Sequence, residues 1–224
     1  MPHLVVARYN ENLNWLCHVP RAFGISVYNK GGEVEVPSRD NLTIETLPNI
    51  GRESHTYLHH IIENYENLSD VIVFCQGKPF DHAYDFHHTL RDLAQNGFDK
   101  DWQPLGHIYD TDTADGQLFK IWTKNENGRG LDFRAFHRAL WNTDGPHEYG
   151  FRLGAQFIVS REVIRNRPKS FYEKALQLSV SFPDAPHCFE RCWHLVFGVE
   201  HPDLSWLGGR KTAYLKPVKR LMNE

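Results

Sequence analysis

The sequence predicts an α/β fold with βαβ-type layering, and two observations carry that prediction. Val71 to Cys75 is a continuous apolar run of strand length with two valines and an isoleucine, the pattern of a strand covered on both faces. Ahead of it, within Leu47 to Gly77 (LPNIGRESHTYLHHIIENYENLSDVIVFCQG), Ile50, Tyr57, Leu58, Ile61, Ile62 and Tyr65 are spaced to share one broad helical face that should be buried. Pro48 and Asn49 precede this periodicity and Gly51 frees the backbone, so the first turn begins near Arg52 and Glu53, with unpaired backbone N–H groups close by. Gln76, Gly77 and Lys78 then stand at the carboxyl end of the strand, where open α/β sheets place their ligands.

The remaining elements follow in order. Leu4 to Arg8 is a first strand that exits into the polar tract Tyr9-Asn10-Glu11-Asn12. Ile25 to Tyr28 is another, ended by the turn signal Asn29-Lys30-Gly31-Gly32, and Thr43 to Leu47 is one more before the loop at Pro48. A short helix spans His87 to Asn96, closed by Gly97, and Asp132 caps a helix whose stripe is Phe133, Phe136 and Leu140. Between them Asp99 to Gly130 is polar, Gly-rich and aromatic with weak periodicity, which predicts irregular structure near the site. Ala155 to Val159 is a strand, Ser160 caps the turn that follows, Pro168 opens a helix to about Leu178, and a last helix runs from about Pro186 to Phe197 with Gly198 as its stop.

At 224 residues the chain suits a single domain, 1–224, and a globule of this size buries roughly 70% of its unfolded surface without staples. Net charge is −3 and no long basic run stands outside Lys211 to Arg220, so no nucleic-acid partner is expected. Cys17, Cys75, Cys188 and Cys192 form no CxxC pair, which fits reduced thiols in a cytoplasmic protein. No segment reaches membrane-spanning length, leaving peripheral membrane contact through the basic tail. Fourteen histidines bring metal binding into consideration.

Three clusters carry chemistry. Asn49 to Glu53 puts a flexible backbone, a guanidinium fork and a carboxylate within one turn, a grip for a phosphorylated or hydroxylated ligand, or more plainly a helix start with a surface ion pair. Asp110-Thr111-Asp112 offers two carboxylates that suit Mg²⁺ or Mn²⁺, or more plainly an Asp-rich turn. Glu190 and His194 are four apart on the last helix, with His187 on the same side; Glu190 can serve as general base with His194 orienting it, the pair can bind a metal, or the face can simply meet water. No G-x-S-x-G, P-loop or G-x-G-x-x-G sequence is present.

The blocks VVARYNENLNWL, VYNKG, LPNIGRESHTYLHHIIENYENLSDVIVFCQG, FRLGAQFIVSREVIRNRPKSFYEKALQL and FERCWHLVFG together resemble, over the full length, a domain-of-unknown-function family related by fold to GT-A glycosyltransferases. The resemblance implies a three-layer α/β/α sandwich around a mostly parallel central sheet, with a nucleotide-sugar donor over the carboxyl ends of the amino-terminal strands. It implies transfer of a sugar from a nucleoside-diphosphate donor to a hydroxyl of a glycan or lipid-linked saccharide, as in polysaccharide biosynthesis. Carried onto this sequence, Arg8, Tyr9, Asn10, Asn49, Arg52, Glu53, Gln76 and Gln156 would hold the donor. Asp110 and Asp112 would hold Mn²⁺ or Mg²⁺ if the reaction uses one, since metal-independent relatives exist, and Glu190 with His194 would act on the acceptor. At Gln76 the resemblance would imply His, so this position departs from the expected pattern. Two other classes compete: a His/carboxylate metal-dependent hydrolase, and a non-catalytic saccharide-binding module using Trp102, Trp122 and Trp206.

Overall fold

The computed structural model describes residues 1–122, 125 and 127–216. The chain opens with β1 (His3–Arg8), β2 (Gly24–Asn29) and β3 (Leu42–Thr46), then α1 (Arg52–Glu63), β4 (Val71–Gln76) and α2 (Phe86–Asn96). Next come β5 (Trp102–Leu105), β6 (Ile108–Thr113), α3 (Gln117–Ile121), α4 (Phe133–Trp141), β7 (Glu148–Arg152) and β8 (Gln156–Ser160). Last are α5 (Arg161–Arg165), α6 (Lys169–Ser181), α7 (Ala185–Val196) and β9 (Thr212–Tyr214).

Six strands form the central sheet in the order β3-β2-β1-β4-β8-β5, the first four parallel and the last two antiparallel to their neighbours. The βαβ layering expected from the apolar runs and the mostly parallel central sheet that the resemblance implied are therefore present. Successive side chains of a strand point to opposite faces, and both faces of the inner strands are covered, while β3 at the edge is largely exposed. Leu4 and Val6 join Val73, Cys75, Ile25 and Val27 in a core closed by Phe86, Leu90 and Leu93 of α2. Val5, Ile72 and Phe74 face the other way, into a core shared with Tyr57, Leu58 and Ile61 of α1, Tyr172 of α6 and Phe189 and Trp193 of α7. Aromatic rings hold this second layer together, with Tyr57 centred 4.9 Å from Phe74 and Phe157 centred 5.2 Å from Trp193.

Register brings the strand exits level. Arg8 pairs with Asn29 and Ala7 with Gln76, so the carboxyl ends of β1, β2 and β4 form one edge, over which the start of α1 lies. That start is Arg52, as the sequence indicated, but Ile50 is 40% exposed and Tyr65 sits in a separate 3-10 turn at Tyr65–Asn67, so neither belongs to the buried helical stripe.

Residues 99–130, expected to be irregular, instead contain β5, β6 and α3. Strand β6 forms a second, antiparallel sheet in the order β7-β6-β9. Its polarity hid it, because Asp110, Thr111 and Asp112 are all buried and satisfied internally rather than exposed in a turn. Four cysteines are free thiols; Cys75 is core, as its place in an apolar strand implied. Among the described residues no helix is long and apolar enough to cross a membrane. Residues 217–220 of the basic tail lie outside the described residues.

Candidate functional site

Two adjoining hollows, of about 320 and 340 Å³, open over the carboxyl edge of the parallel strands and share Arg52, Glu53 and Gln76. Each is in the range of small-ligand sites. The first is lined by Arg8, Tyr9, Glu11, Lys30 and Asn49 as well. The second is closed by Asp110 of β6, Phe119 of α3, Trp122, and His187, Glu190 and Arg191 of α7. One continuous cleft therefore runs between the parallel strand ends and the wall made by the small sheet and α7.

Glycine chemistry shapes the floor at two places. Gly51 has φ of 59°, and a Cβ there would lie 2.7 Å from the His55 Cβ and 2.9 Å from the Ser179 carbonyl oxygen, so the entry to α1 admits no side chain. At Gly31 a Cβ would lie 1.7 Å from the Tyr9 carbonyl oxygen, and this close approach lets the β2 exit pack on the β1 exit. Arg52 itself has φ of 45°, a costly conformation for a residue with a side chain. Lys30 holds it in place: its buried Nζ donates to the carbonyls of Ile50 and Arg52, both at 2.6 Å.

Gly51 brings no capping side chain to the N-terminus of α1, so the first N–H groups of the helix add positive potential to the cleft. The Arg52 guanidinium is exposed and makes no hydrogen bond or ion pair among the described residues, which leaves its fork available to an anion. Burial lowers the Lys30 pKa to about 8, with Glu53 acting in the opposite direction. Burial raises the Glu53 pKa to about 7, the neighbouring Glu190 adds to the rise, and Arg52 and Lys30 oppose it. His187, packed against Phe119 and Trp122, is held down at about 4 by burial and then by Arg52 and Arg191, so it is neutral at pH 7. The cleft thus combines a free cation, a carboxyl that titrates near neutrality and a neutral imidazole.

Of the residues expected to hold a donor, Tyr9, Asn49, Arg52, Glu53 and Gln76 line this cleft. Arg8 lines it too, but its guanidinium is spent on Asn29 Oδ1 and the carbonyls of Glu11, Gly32 and Glu33, so it organises the loops and cannot also clamp a ligand. Asn10 faces a separate hollow with Glu33 and Glu35, its Oδ1 taken by the Gly32 N–H. Gln156 is buried as a clamp, accepting from the Gln76 N–H and donating to the Pro79 carbonyl.

The Asp110/Asp112 pair also needs correction. Asp112 Oδ1 accepts from the N–H groups of Thr113 and Leu118, and Oδ2 from the N–H of Phe119 and from Arg191 Nε at 2.9 Å. Its lone pairs are occupied, so the two-carboxylate ligand set for Mn²⁺ or Mg²⁺ does not fit the residues present. Asp110 accepts from the Thr212 hydroxyl and alone of the two lines the cleft, its pKa raised chiefly by burial. Among the described residues, no three His, Cys, Asp or Glu side chains are grouped to hold a metal ion.

Glu190 reaches the cleft with Oε1 fixed by the Gly154 N–H at 2.7 Å. His194 does not orient it. The helix carrying both is interrupted at Cys192, whose φ of −133° is non-helical, and the two side chains are not hydrogen-bonded. His194 is buried, its Nε2 lacks a hydrogen-bond partner among the described residues, and burial holds its pKa down at about 3. Lys30 and Glu11, both on strand exits, were not among the expected site residues, although the logic applied to Arg8 and Gln76 would have found them; His82 and Arg191 of the second hollow were not expected either.

Fold and cleft define an α/β protein with a polar, cation-bearing cleft at the carboxyl ends of parallel strands. Residues 4–205 match the family described as "Protein of unknown function (DUF3431)", and the chain belongs to it. No curated protein matches it.

Proposed function

We propose that the protein is a glycosyltransferase that moves a sugar from a nucleoside-diphosphate donor to a hydroxyl of a glycan or lipid-linked saccharide. The observation that carries this reading is the single cleft joining Arg52 and the open start of α1 to Glu190. A diphosphate suits the first end, because an unpaired guanidinium and uncapped helix N–H groups recognise phosphate oxygens together. Glu53 in its protonated form removes the carboxylate that would repel that diphosphate. At the other end Glu190 accepts the proton of the acceptor hydroxyl as its oxygen bonds to the anomeric carbon. The bond from that carbon to the diphosphate breaks, and the nucleoside diphosphate leaves with the electron pair. No step is routed through a metal ion.

The test is the melting temperature in the presence of UDP-, GDP-, dTDP- and CMP-sugars, with and without Mn²⁺. A matching donor at about 100 times its Kd adds about 2.7 kcal/mol of stability. No shift with any donor in either buffer counts against transfer. Glu190→Gln then separates an enzyme from a saccharide-binding module, since an enzyme keeps donor affinity and loses turnover.

A further inference from the structure

A second cavity, of about 420 Å³, shares Phe151 and Glu190 with the cleft but has a different character. Rings dominate its wall: Trp102, Tyr109, Phe157, Trp193 and Trp206 join Phe151. They support one another, with Trp102 centred 4.5 Å from Phe157 and Tyr109 centred 5.3 Å from Trp206. Gln156 is committed to Gln76 and Pro79 and Arg152 Nη1 to the Gly106 carbonyl, whereas Tyr109 Oη, Arg152 Nε, Trp193 Nε1 and His194 Nε2 are buried without a hydrogen-bond partner among the described residues. Glu190 differs. Oε1 takes the Gly154 N–H, whereas Oε2 lies 3.7 Å from Arg191 Nη1, beyond hydrogen-bond range, and so keeps acceptor capacity. At the rim, Trp206 is 47% exposed and Leu215 36% exposed, apolar side chains left in water beside an apolar cavity.

A wall of rings, with these unpaired polar atoms and one open carboxylate oxygen, selects a ligand with an apolar body and a hydroxyl-bearing end. We propose that the aromatic cavity binds a neutral amphiphile of the alkyl or aryl glycoside class, its apolar portion among the rings and a hydroxyl on Glu190 Oε2. A free sugar would leave the rings uncovered, and a plain hydrocarbon would leave the carboxylate desolvated and unpaired. As an acceptor site the cavity rests on the transferase reading; as a binding site it does not.

The probe is octyl β-D-glucoside below its micelle concentration, titrated against the full chain by calorimetry, with glucose and 1-octanol as its two halves. Saturable binding of the glucoside is expected, at least tenfold tighter than either half. Trp206→Ala and Leu215→Glu, both at the exposed rim, should each weaken it at least tenfold without changing the circular dichroism spectrum, and Glu190→Ala should bring the glucoside down toward octanol. No saturable binding, or equal affinity in the rim variants, overturns the site; octanol binding as tightly as the glucoside, or an unchanged Glu190→Ala, overturns its polar end. A nucleoside diphosphate titrated in parallel distinguishes the two readings: glucoside binding without nucleotide binding sinks transfer and keeps this site, and the reverse sinks this site alone.

Discussion

Replacing Asp112 by alanine should destabilise the protein by about 3–5 kcal/mol, the cost of leaving one partner of a buried ion pair without the other. The side chains are 0% exposed for Asp112 and 4% for Arg191, joined at 2.9 Å. Alanine also leaves the N–H groups of Thr113, Leu118 and Phe119 without their acceptor, and an unsatisfied buried donor costs about 1–3 kcal/mol, although these terms overlap. Such a loss is a large part of the roughly 5–15 kcal/mol that holds a domain together. Arg191→Met should cost less, because the three backbone donors still satisfy the Asp112 carboxylate. Combining the two changes should cost less than their sum, as expected for coupled partners. Urea unfolding at pH 7 in a chelating buffer measures all three. If Asp112→Ala lies within 1 kcal/mol of the parent protein there, the carboxylate is not structural and becomes available again as a metal ligand.

Gly51→Ala should cost about 1–2 kcal/mol from its left-handed backbone alone, more with the 2.7 Å clash at His55, and should weaken nucleotide binding in a thermal-shift assay. Acid should destabilise the fold early. His55 and His187 are held near 4, and His60 and His194 near 3, by burial in each case, so the unfolded chain binds protons the folded one does not between those values and pH 6.5. Stability therefore falls as pH drops through that window, by up to about 1.4 kcal/mol per pH unit per group, and His60→Gln should flatten the slope. Glu53 acts with the opposite sign: its raised pKa means stability falls as pH climbs from 4.5 to about 7, so Glu53→Gln should gain stability at pH 8 relative to pH 5. Donor affinity should also decline above pH 7 as Glu53 ionises and, near 8, as Lys30 loses its charge; Glu53→Gln should remove the lower part of that decline in calorimetric titrations.

The parallel sheet was legible because its inner strands β1 and β4 are buried on both faces and so read as unbroken apolar runs, as in VIVFC and LVVA, whereas edge strand β3 is largely exposed. The start of α1 was legible because Gly51 and the apolar spacing after it have one physical solution. Strand β6 was not, since Ile108–Thr113 carries two buried aspartates whose partners, Thr212 and Arg191, lie about 100 and 79 residues away in sequence. The same long-range pairing explains why Asp112 resembled a metal ligand, and why Arg8 resembled a phosphate clamp when its donors in fact close on the β2 exit loop. Spacing put Glu190 and His194 on one helical face, and both line the aromatic cavity, but with the non-helical Cys192 between them the two side chains are not hydrogen-bonded.

The central claim is that Arg52 and the start of α1 hold a diphosphate in the cleft that Glu190 closes. Calorimetric titration of UDP-, GDP- and dTDP-sugars into the parent protein and Arg52→Ala tests it most directly. The account predicts saturable binding of at least one donor, weakened at least tenfold by Arg52→Ala and little changed by Glu190→Gln. Equal affinity in the parent protein and Arg52→Ala, or no binding of any donor, would contradict it.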